Sequence, residues 1–165
     1  MKQDLEARFK SDYQQMVKGI YRYIYYHSGN KAFAEDLTQE VFLKYWSKIS
    51  EVRAETVSPY LYRIAKNLLI NHSEKKKVML KFQQSQKLEI DQQGPQYLLE
   101  EKEFKKTLET AISNLPDGQR EVFLMNRIDG KKYREIAVDL GISQKAVEKR
   151  MHKALVSLRQ IYDKI

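Results

Sequence analysis

The segment from Tyr133 to Leu158, YREIAVDLGISQKAVEKRMHKALVSL, constrains the chain most, because its apolar spacing fits two short helices joined by a sharp turn. Ile136, Ala137 and Leu140 fall on one face of the first helix, and Val147, Met151, Leu155 and Leu158 on one face of the second. Gly141 permits the left-handed backbone that such a turn needs. Alanine, glycine and valine at positions 137, 141 and 147 meet the steric demands of a close, steep crossing, which is the geometry of a helix-turn-helix. Packed this way, the second helix keeps an open face carrying Gln144, Lys145, Glu148, Lys149, His152 and Lys153. These side chains suit phosphate contacts and base-edge hydrogen bonds in a major groove. A helix pair with a merely solvated basic face is the competing reading, and the small residue at 137 weighs against it.

Charge points the same way. A net charge of +8 over 165 residues calls for a polyanionic partner or an acidic surface. Arg63 to Lys81 holds six Lys or Arg against one acid and Gln144 to Arg159 five against one, so two patches carry the whole surplus. Two DNA contacts are therefore expected, one in each half of the chain. The absence of cysteine excludes disulfides, thiolate zinc sites and a cysteine nucleophile. No apolar run approaches the roughly 20 residues needed to span a bilayer, and MKQDLEARFK lacks the apolar core of a signal peptide. A cytoplasmic protein with no membrane insertion is expected. His27, His72 and His152 lie far apart without metal-ligand spacing and are read as surface residues. With no glycine-rich phosphate loop and no nucleophile motif, the chain is read as no enzyme, with no metal, cofactor or small-molecule substrate.

The fold class expected is all-α, with two small helical domains joined by a flexible linker. Leu5, Phe9, Met16, Ile20, Tyr23 and Ile24 make one stripe, and Phe33, Leu37, Val41 and Tyr45 another. Ser58 before Pro59 reads as a cap and first turn, continued by Leu61, Ile64, Ala65, Leu68 and Leu69 in a helix that ends near Lys77. Gln83 to Gln96 is glutamine-rich, closes on Gly94 and Pro95, and reads as the linker. Phe104, Leu108, Ala111, Ile112 and Leu115 restart the helical stripe, which Pro116 breaks.

Two further segments carry more than a core stripe. In AEDLTQEVFLKYW, from Ala34 to Trp46, Leu37, Val41 and Tyr45 form the stripe while Phe42, Leu43 and Trp46 put large apolar groups on other sides, beside Asp36, Gln39 and Glu40. Either several of these are simply half-exposed, or they form a partner surface with an apolar centre and an acidic, amide-bearing rim. In YLYRIAKNLLINHSEKKK, from Tyr60, tyrosine rings can stack on unpaired bases and Asn67 and Asn71 can bond base edges. Arg63, Lys66, Lys75 and Lys76 can hold phosphates. A basic amphipathic helix whose tyrosines pack in the core is the plainer account of the same residues.

Taken in order, AEDLTQEVFLKYW, SPYLYRIAKNLLINH and LPDGQREVFLMNRIDGKKYREIAVDLGISQKAVEKRMHKAL resemble the polymerase-binding helix, the promoter-melting helix and the C-terminal helix-turn-helix of bacterial extracytoplasmic-function (ECF) sigma factors. The resemblance implies a region 2-like domain over residues 1–80, a linker over 81–97 and a region 4-like domain over 98–165. It implies binding to core RNA polymerase, promoter DNA recognition at two elements, transcription initiation, and an anti-sigma factor as a further partner. Asp36, Gln39, Glu40, Leu43 and Trp46 then match the surface that docks on polymerase. Asn67 matches a position near the melted element, with Tyr60, Arg63 and Lys66 beside it. Gln144, Lys145, Glu148, Lys149, Arg150 and Lys153 match the face reading the upstream element. Asn71 stands where many relatives carry an acid, and Glu148 and His152 give the recognition helix its own pattern, so the resemblance does not supply a promoter sequence.

A stand-alone helix-turn-helix transcriptional regulator is the alternative, but it calls for neither a second basic patch nor the Ala34 to Trp46 surface. The acidic docking segment and the two basic patches are also expected to let the free chain fold back on itself.

Overall fold

The computed structural model describes residues 1–72, 78–82 and 98–162, and the helices it contains number seven among them: α1 (Lys2–Ser28), α2 (Lys31–Lys48), α3 (Val57–Asn71), α4 (Leu98–Ser113), α5 (Asp117–Arg127), α6 (Tyr133–Leu140) and α7 (Gln144–Tyr162). There is no strand among the described residues. Helices α1–α3 pack on one another as an N-terminal bundle, and α4–α7 form a C-terminal domain around the helix-turn-helix. The expected linker from Gln83 to Gln96 lies outside the described residues.

Local chemistry sets the helix limits. α1 ends at Gly29, whose φ of 64° is open to glycine at little cost and whose N–H donates to Tyr25 O at 2.8 Å. One residue later Asn30 starts α2, its Oδ1 accepting from Phe33 N–H at 3.0 Å. The apolar stripe of α1 is unevenly used. Ile20, Tyr23, Ile24 and Tyr26 are fully buried, whereas Leu5, Phe9 and Met16 toward its N-terminus are partly covered. Phe42 belongs to the core, seated 4.8 Å edge-on from the Tyr13 ring and 6.3 Å from that of Phe9, so α2 buries a wider arc than its stripe predicts.

Two expectations in α3 change. The helix begins at Val57, after a 3-10 turn, so Ser58 lies inside the first turn, where it caps nothing; its hydroxyl donates instead to Asp139 Oδ1 at 2.5 Å. Its last described helical residue is Asn71, short of Lys77. In α7 Ala154 is fully buried along with Val147 and Met151, while Leu155, expected on the buried face, is only partly covered. A small side chain there lets α7 lie close against α4 and α5.

The two halves are in contact, α1 on α5 and α3 on α6. Their junction is polar to a degree that periodicity does not foretell. Arg120, 2% exposed, donates from Nε to Tyr26 O at 2.7 Å and from Nη1 to Leu115 O at 2.7 Å and Ser113 O at 3.3 Å, with Asp117 on Nη2 at 2.5 Å. It thereby serves carbonyls at the ends of α1 and α4 that have no helical partner, and one in the turn that follows α4. His27, read as a surface residue, sits 2.7 Å from Glu121 Oε2 with little of either side chain exposed. Asp129 accepts from Arg22 Nε at 2.6 Å and from Tyr26 Oη at 2.7 Å. Burial raises the pKa of this carboxyl above the ordinary carboxylate value, against the opposing pull of Arg22 and Tyr26.

The short stretch Val78 to Phe82 crosses this junction. Tyr25 Oη donates to Lys81 O at 3.0 Å and accepts from Lys81 N–H at 2.9 Å, while Leu80 N–H donates to Ser113 Oγ at 2.9 Å. Leu80 and Phe82 are buried, so the chain is held at 81 and 82 where a free linker was expected.

Substitution at the glycines separates backbone strain from contact. Gly29 and Gly130 share a left-handed φ, of 64° and 69°, but an added Cβ at 29 would meet Met79 N at 2.9 Å and at 130 nothing within 4 Å. Gly130→Ala should cost about 1 kcal/mol of conformational strain, and Gly29→Ala more, about 2–3 kcal/mol, because the crossing segment at Met79 must also shift. Arg120→Met should cost at least about 3 kcal/mol by leaving helix-end carbonyls unpaired. Urea midpoints at unchanged slope measure all three.

Candidate nucleic-acid interface

The helix-turn-helix forms as its spacing requires. α6 opens with Glu135 accepting from Lys132 N–H at 2.8 Å and closes at Gly141, φ 66°, where Ile142 N–H returns to Ala137 O at 3.1 Å. Ser143 Oγ accepts from Ala146 N–H at 3.1 Å and so starts α7. Ile136, Ala137, Val147, Met151 and Leu158 are buried between the helices and the rest of the domain. Their burial turns the opposite face of α7 outward.

On that face Gln144, Lys145, Glu148, Lys149, His152 and Lys153 are all exposed. Gln144 Nε2 and Glu148 Oε1 are 3.4 Å apart, one turn from each other at the start of the helix, where recognition helices meet base edges. Arg150 is placed differently. Its guanidinium turns toward α5, donating from Nη1 to Glu121 Oε1 at 3.0 Å and lying over Gly118, where a Cβ would come within 3.2 Å of it.

The α3 face is assembled from Tyr60, Arg63, Lys66 and Asn67, with Asn71 exposed at the end of the helix. Arg63 stacks over the Tyr60 ring at 5.4 Å, giving a flat cationic surface, while Lys66 and Asn67 are exposed. Lys75 and Lys76 lie outside the described residues. Tyr62, by contrast, is buried, and Lys131 reaches its ring at 4.5 Å and its hydroxyl at 2.9 Å. Exposed along Arg63, Lys66, Asn67 and Asn71, the α3 face is also bounded on one side. It forms one wall of a cleft of about 760 Å³ whose other wall is Asp139, Leu140 and Gly141 at the turn of the helix-turn-helix.

The third surface is on α2. Leu43 is 68% exposed and Trp46 37%, with Asp36 and Gln39 exposed and Glu40 partly so, on the side of the helix away from the buried Leu37, Val41 and Tyr45. Trp46 is braced edge-on against Phe9 at 5.3 Å. An apolar pair fixed from behind and rimmed by acids and an amide is the layout of a protein-binding surface. The residues that sequence reasoning missed are those of the junction, Arg22, Tyr26, Arg120, Glu121, Asp129 and Asp139. Their partners lie up to 107 positions away, so no local pattern marks them.

Comparison with known proteins covers the helices that carry these surfaces. The family model described as Sigma-70 region 2 matches residues 12–78, and that described as Sigma-70, region 4 matches residues 105–158. ECF RNA polymerase sigma factor SigE of Mycolicibacterium smegmatis is 26% identical over 149 residues, which are 88% of this chain and 58% of SigE, so the chain spans less than two thirds of that relative. ECF RNA polymerase sigma factor SigW of Bacillus subtilis is 30% identical over 152 residues, covering 86% of this chain and 81% of SigW. Among solved structures, sigma factor RpoE in complex with the anti-sigma factor NepR from Bartonella quintana aligns over 94% of this chain and 97% of that one. The TM-score is 0.64 at 19% identity, a likeness of fold. With region 2 on α1–α3, region 4 on α4–α7 and most of SigW covered, the chain belongs to the ECF family of RNA polymerase sigma factors.

Proposed function

We propose that the chain works as its family does, binding core RNA polymerase and directing it to promoter DNA, through the three surfaces just described. The observation that carries this reading is their distribution: an acid-rimmed apolar surface on α2, a cationic and aromatic face on α3 and a polar, basic face on α7, each on a different helix. Asp36, Gln39, Glu40, Leu43 and Trp46 dock polymerase. Gln144, Lys145, Glu148, Lys149, His152 and Lys153 read an upstream duplex element, with Arg150 braced by Glu121. Tyr60, Arg63, Lys66, Asn67 and Asn71, with Lys75 and Lys76, hold bases exposed as the strands part. Stacking and hydrogen bonds to a flipped base are worth about 1–3 kcal/mol per base, enough to offset unpairing of a few kcal/mol without nucleotide hydrolysis. Residues 1–80 and 98–165 serve as the two working domains.

The family acts by binding, and the reading assigns the chain no reaction and no cofactor. It places the chain in the cytoplasm beside polymerase and DNA; no helix among the described residues is long and apolar enough to cross a membrane. The RpoE relative was solved with an anti-sigma factor, and an anti-sigma factor is proposed as a partner here too. A stand-alone regulator leaves the α2 surface and the α3 face without a use.

Reversing charge at Asp36 and Glu40, or Trp46→Ala, should weaken binding to core polymerase by about 2 kcal/mol or more, roughly thirtyfold, with helical content unchanged. Surface plasmon resonance against immobilised core enzyme measures it, and undiminished binding by a folded variant removes the α2 assignment.

Lys149→Ala or Glu148→Ala should change which upstream sequences are used. Asn67→Ala should instead lower strand opening at a promoter that is still bound, and a premelted template should restore activity. Permanganate reactivity on duplex and premelted templates separates the two, and equal loss on both would place Asn67 outside melting.

A further inference from the structure

Ile70 is out of keeping with the face it stands on. Leu61, Ala65 and Leu68 of α3 turn into the core, whereas Ile70 is 60% exposed, and no other large apolar side chain of the helix reaches so far into solvent. It follows Arg63, Lys66 and Asn67 at helical spacing and lines the same cleft as they do. No acid stands anywhere from Val57 to Asn71, so its surroundings are cationic and amide-bearing. A lone exposed apolar side chain is ordinary on a protein surface. This one, however, lies in the middle of the face given to bases, where it neither completes the core nor holds a phosphate.

We propose, on the base-holding role given to α3 above, that Ile70 is a specificity-determining residue that reads the C5 methyl of a thymine in the element this helix engages. The chemistry singles out that base. Adenine, guanine and cytosine present hydrogen-bonding groups along their major-groove edges, and thymine alone adds an apolar group there. A donor or acceptor pressed against Ile70 loses its water and gains no partner. A thymine methyl instead leaves water for hydrocarbon, and so does the isoleucine. The β-branched side chain is stiff at χ1, so little freedom is lost in making the contact. Spacing sets the register. Three residues of helix rise about 4.5 Å, close to the ~3.4 Å step between stacked bases on one strand, which places the thymine beside the base that Asn67 bonds. Arg63 and Lys66 supply phosphate contacts that hold the strand in that register.

The test uses the full chain with core polymerase, on a promoter identified from the transcripts that this holoenzyme makes. Each thymine of the melted element, on either strand, is replaced singly by deoxyuridine, which removes the methyl and keeps every hydrogen-bonding group. Competition binding on premelted fragments should show about a fourfold loss at one thymine, the worth of one buried methyl, and none at the others. With Ile70→Ala the thymine and uracil fragments should bind alike, both at the weaker level, while Ile70→Val keeps most of the difference. At the same position 5-methylcytosine should bind about fourfold more tightly than cytosine to the unaltered chain and equally to Ile70→Ala. A uracil effect that survives Ile70→Ala overturns the assignment. So does an equal loss by Ile70→Ala on thymine and uracil fragments, the behaviour of an unselective apolar wedge between bases. Initiation on an element without thymine, or with no sensitive thymine, overturns the methyl contact and leaves the sigma-factor reading standing. A chain that fails to initiate with core polymerase on any template overturns both.

Discussion

The buried guanidinium of Arg120 fixes where everything else lies. A charge this well enclosed costs several kcal/mol in lost hydration unless it is fully paired, and helix ends that leave carbonyls inside the protein carry a similar penalty. Each problem here answers the other. Tyr26 O at the end of α1, Ser113 O at the end of α4 and Leu115 O in the turn after it meet the donors of Arg120, and Asp117 supplies the countercharge. One side chain therefore sets the C-terminal end of α1 against the elbow between α4 and α5. The neighbouring pairs, Arg22 with Asp129 and His27 with Glu121, fall into reach because that elbow is fixed.

Tyrosine gives this arrangement its character. Tyr23, Tyr26 and Tyr62 are as buried as any leucine, with aromatic area that contributes to the core and a hydroxyl that must find a partner. Burial drives the phenol pKa of Tyr23 and Tyr26 upward, with Glu121 and Asp129 beside them adding to the shift, so both stay neutral donors. Tyr26 donates to Asp129, and Tyr62 stands beside the Lys131 ammonium. Rings thus continue the apolar packing of α1 and α3 up to the junction, and their tips begin its polar network. Tyr23 and Tyr62 pack edge-on at 5.2 Å, which ties α1 to α3 directly behind it.

Helices were legible in the chain wherever a face repeats over several turns or a backbone position demands one residue type. The helix-turn-helix was readable for both reasons: Ile136, Val147, Met151 and Leu158 are buried at the expected spacing, and Gly141 takes a φ of 66°. Pairings between distant segments were not. Ser58 has the identity and position of a cap, but Asp139, 81 residues away, offers its hydroxyl a buried charged acceptor, and a charge-assisted bond outweighs a local one. Phe42 looked surplus to its helix because periodicity counts one face, while Phe9 and Tyr13 of α1 wrap a second. Lys81 and Phe82 follow a polar, lysine-rich stretch and read as linker; their anchoring depends on Tyr25, Glu109 and the buried Phe82 ring, none of which composition reveals. An excess of apolar groups on α2 was legible in the sequence, and Leu43 and Trp46 are the part of that excess left uncovered.

The fold-back expected from the sequence takes place with the opposite polarity. Acids on α2 were to meet the basic patches, but the junction instead joins Asp129, Glu121 and Asp139 of the C-terminal domain to Arg22, His27 and Ser58 of the bundle. Asp36, Gln39, Leu43 and Trp46 consequently remain exposed with the halves in contact. Asp139, Leu140 and Gly141 stand across a cleft from α3, while Arg63, Lys66, Asn67 and Asn71 stay exposed, so the contact between the halves leaves both the α2 surface and much of the α3 face open to solvent.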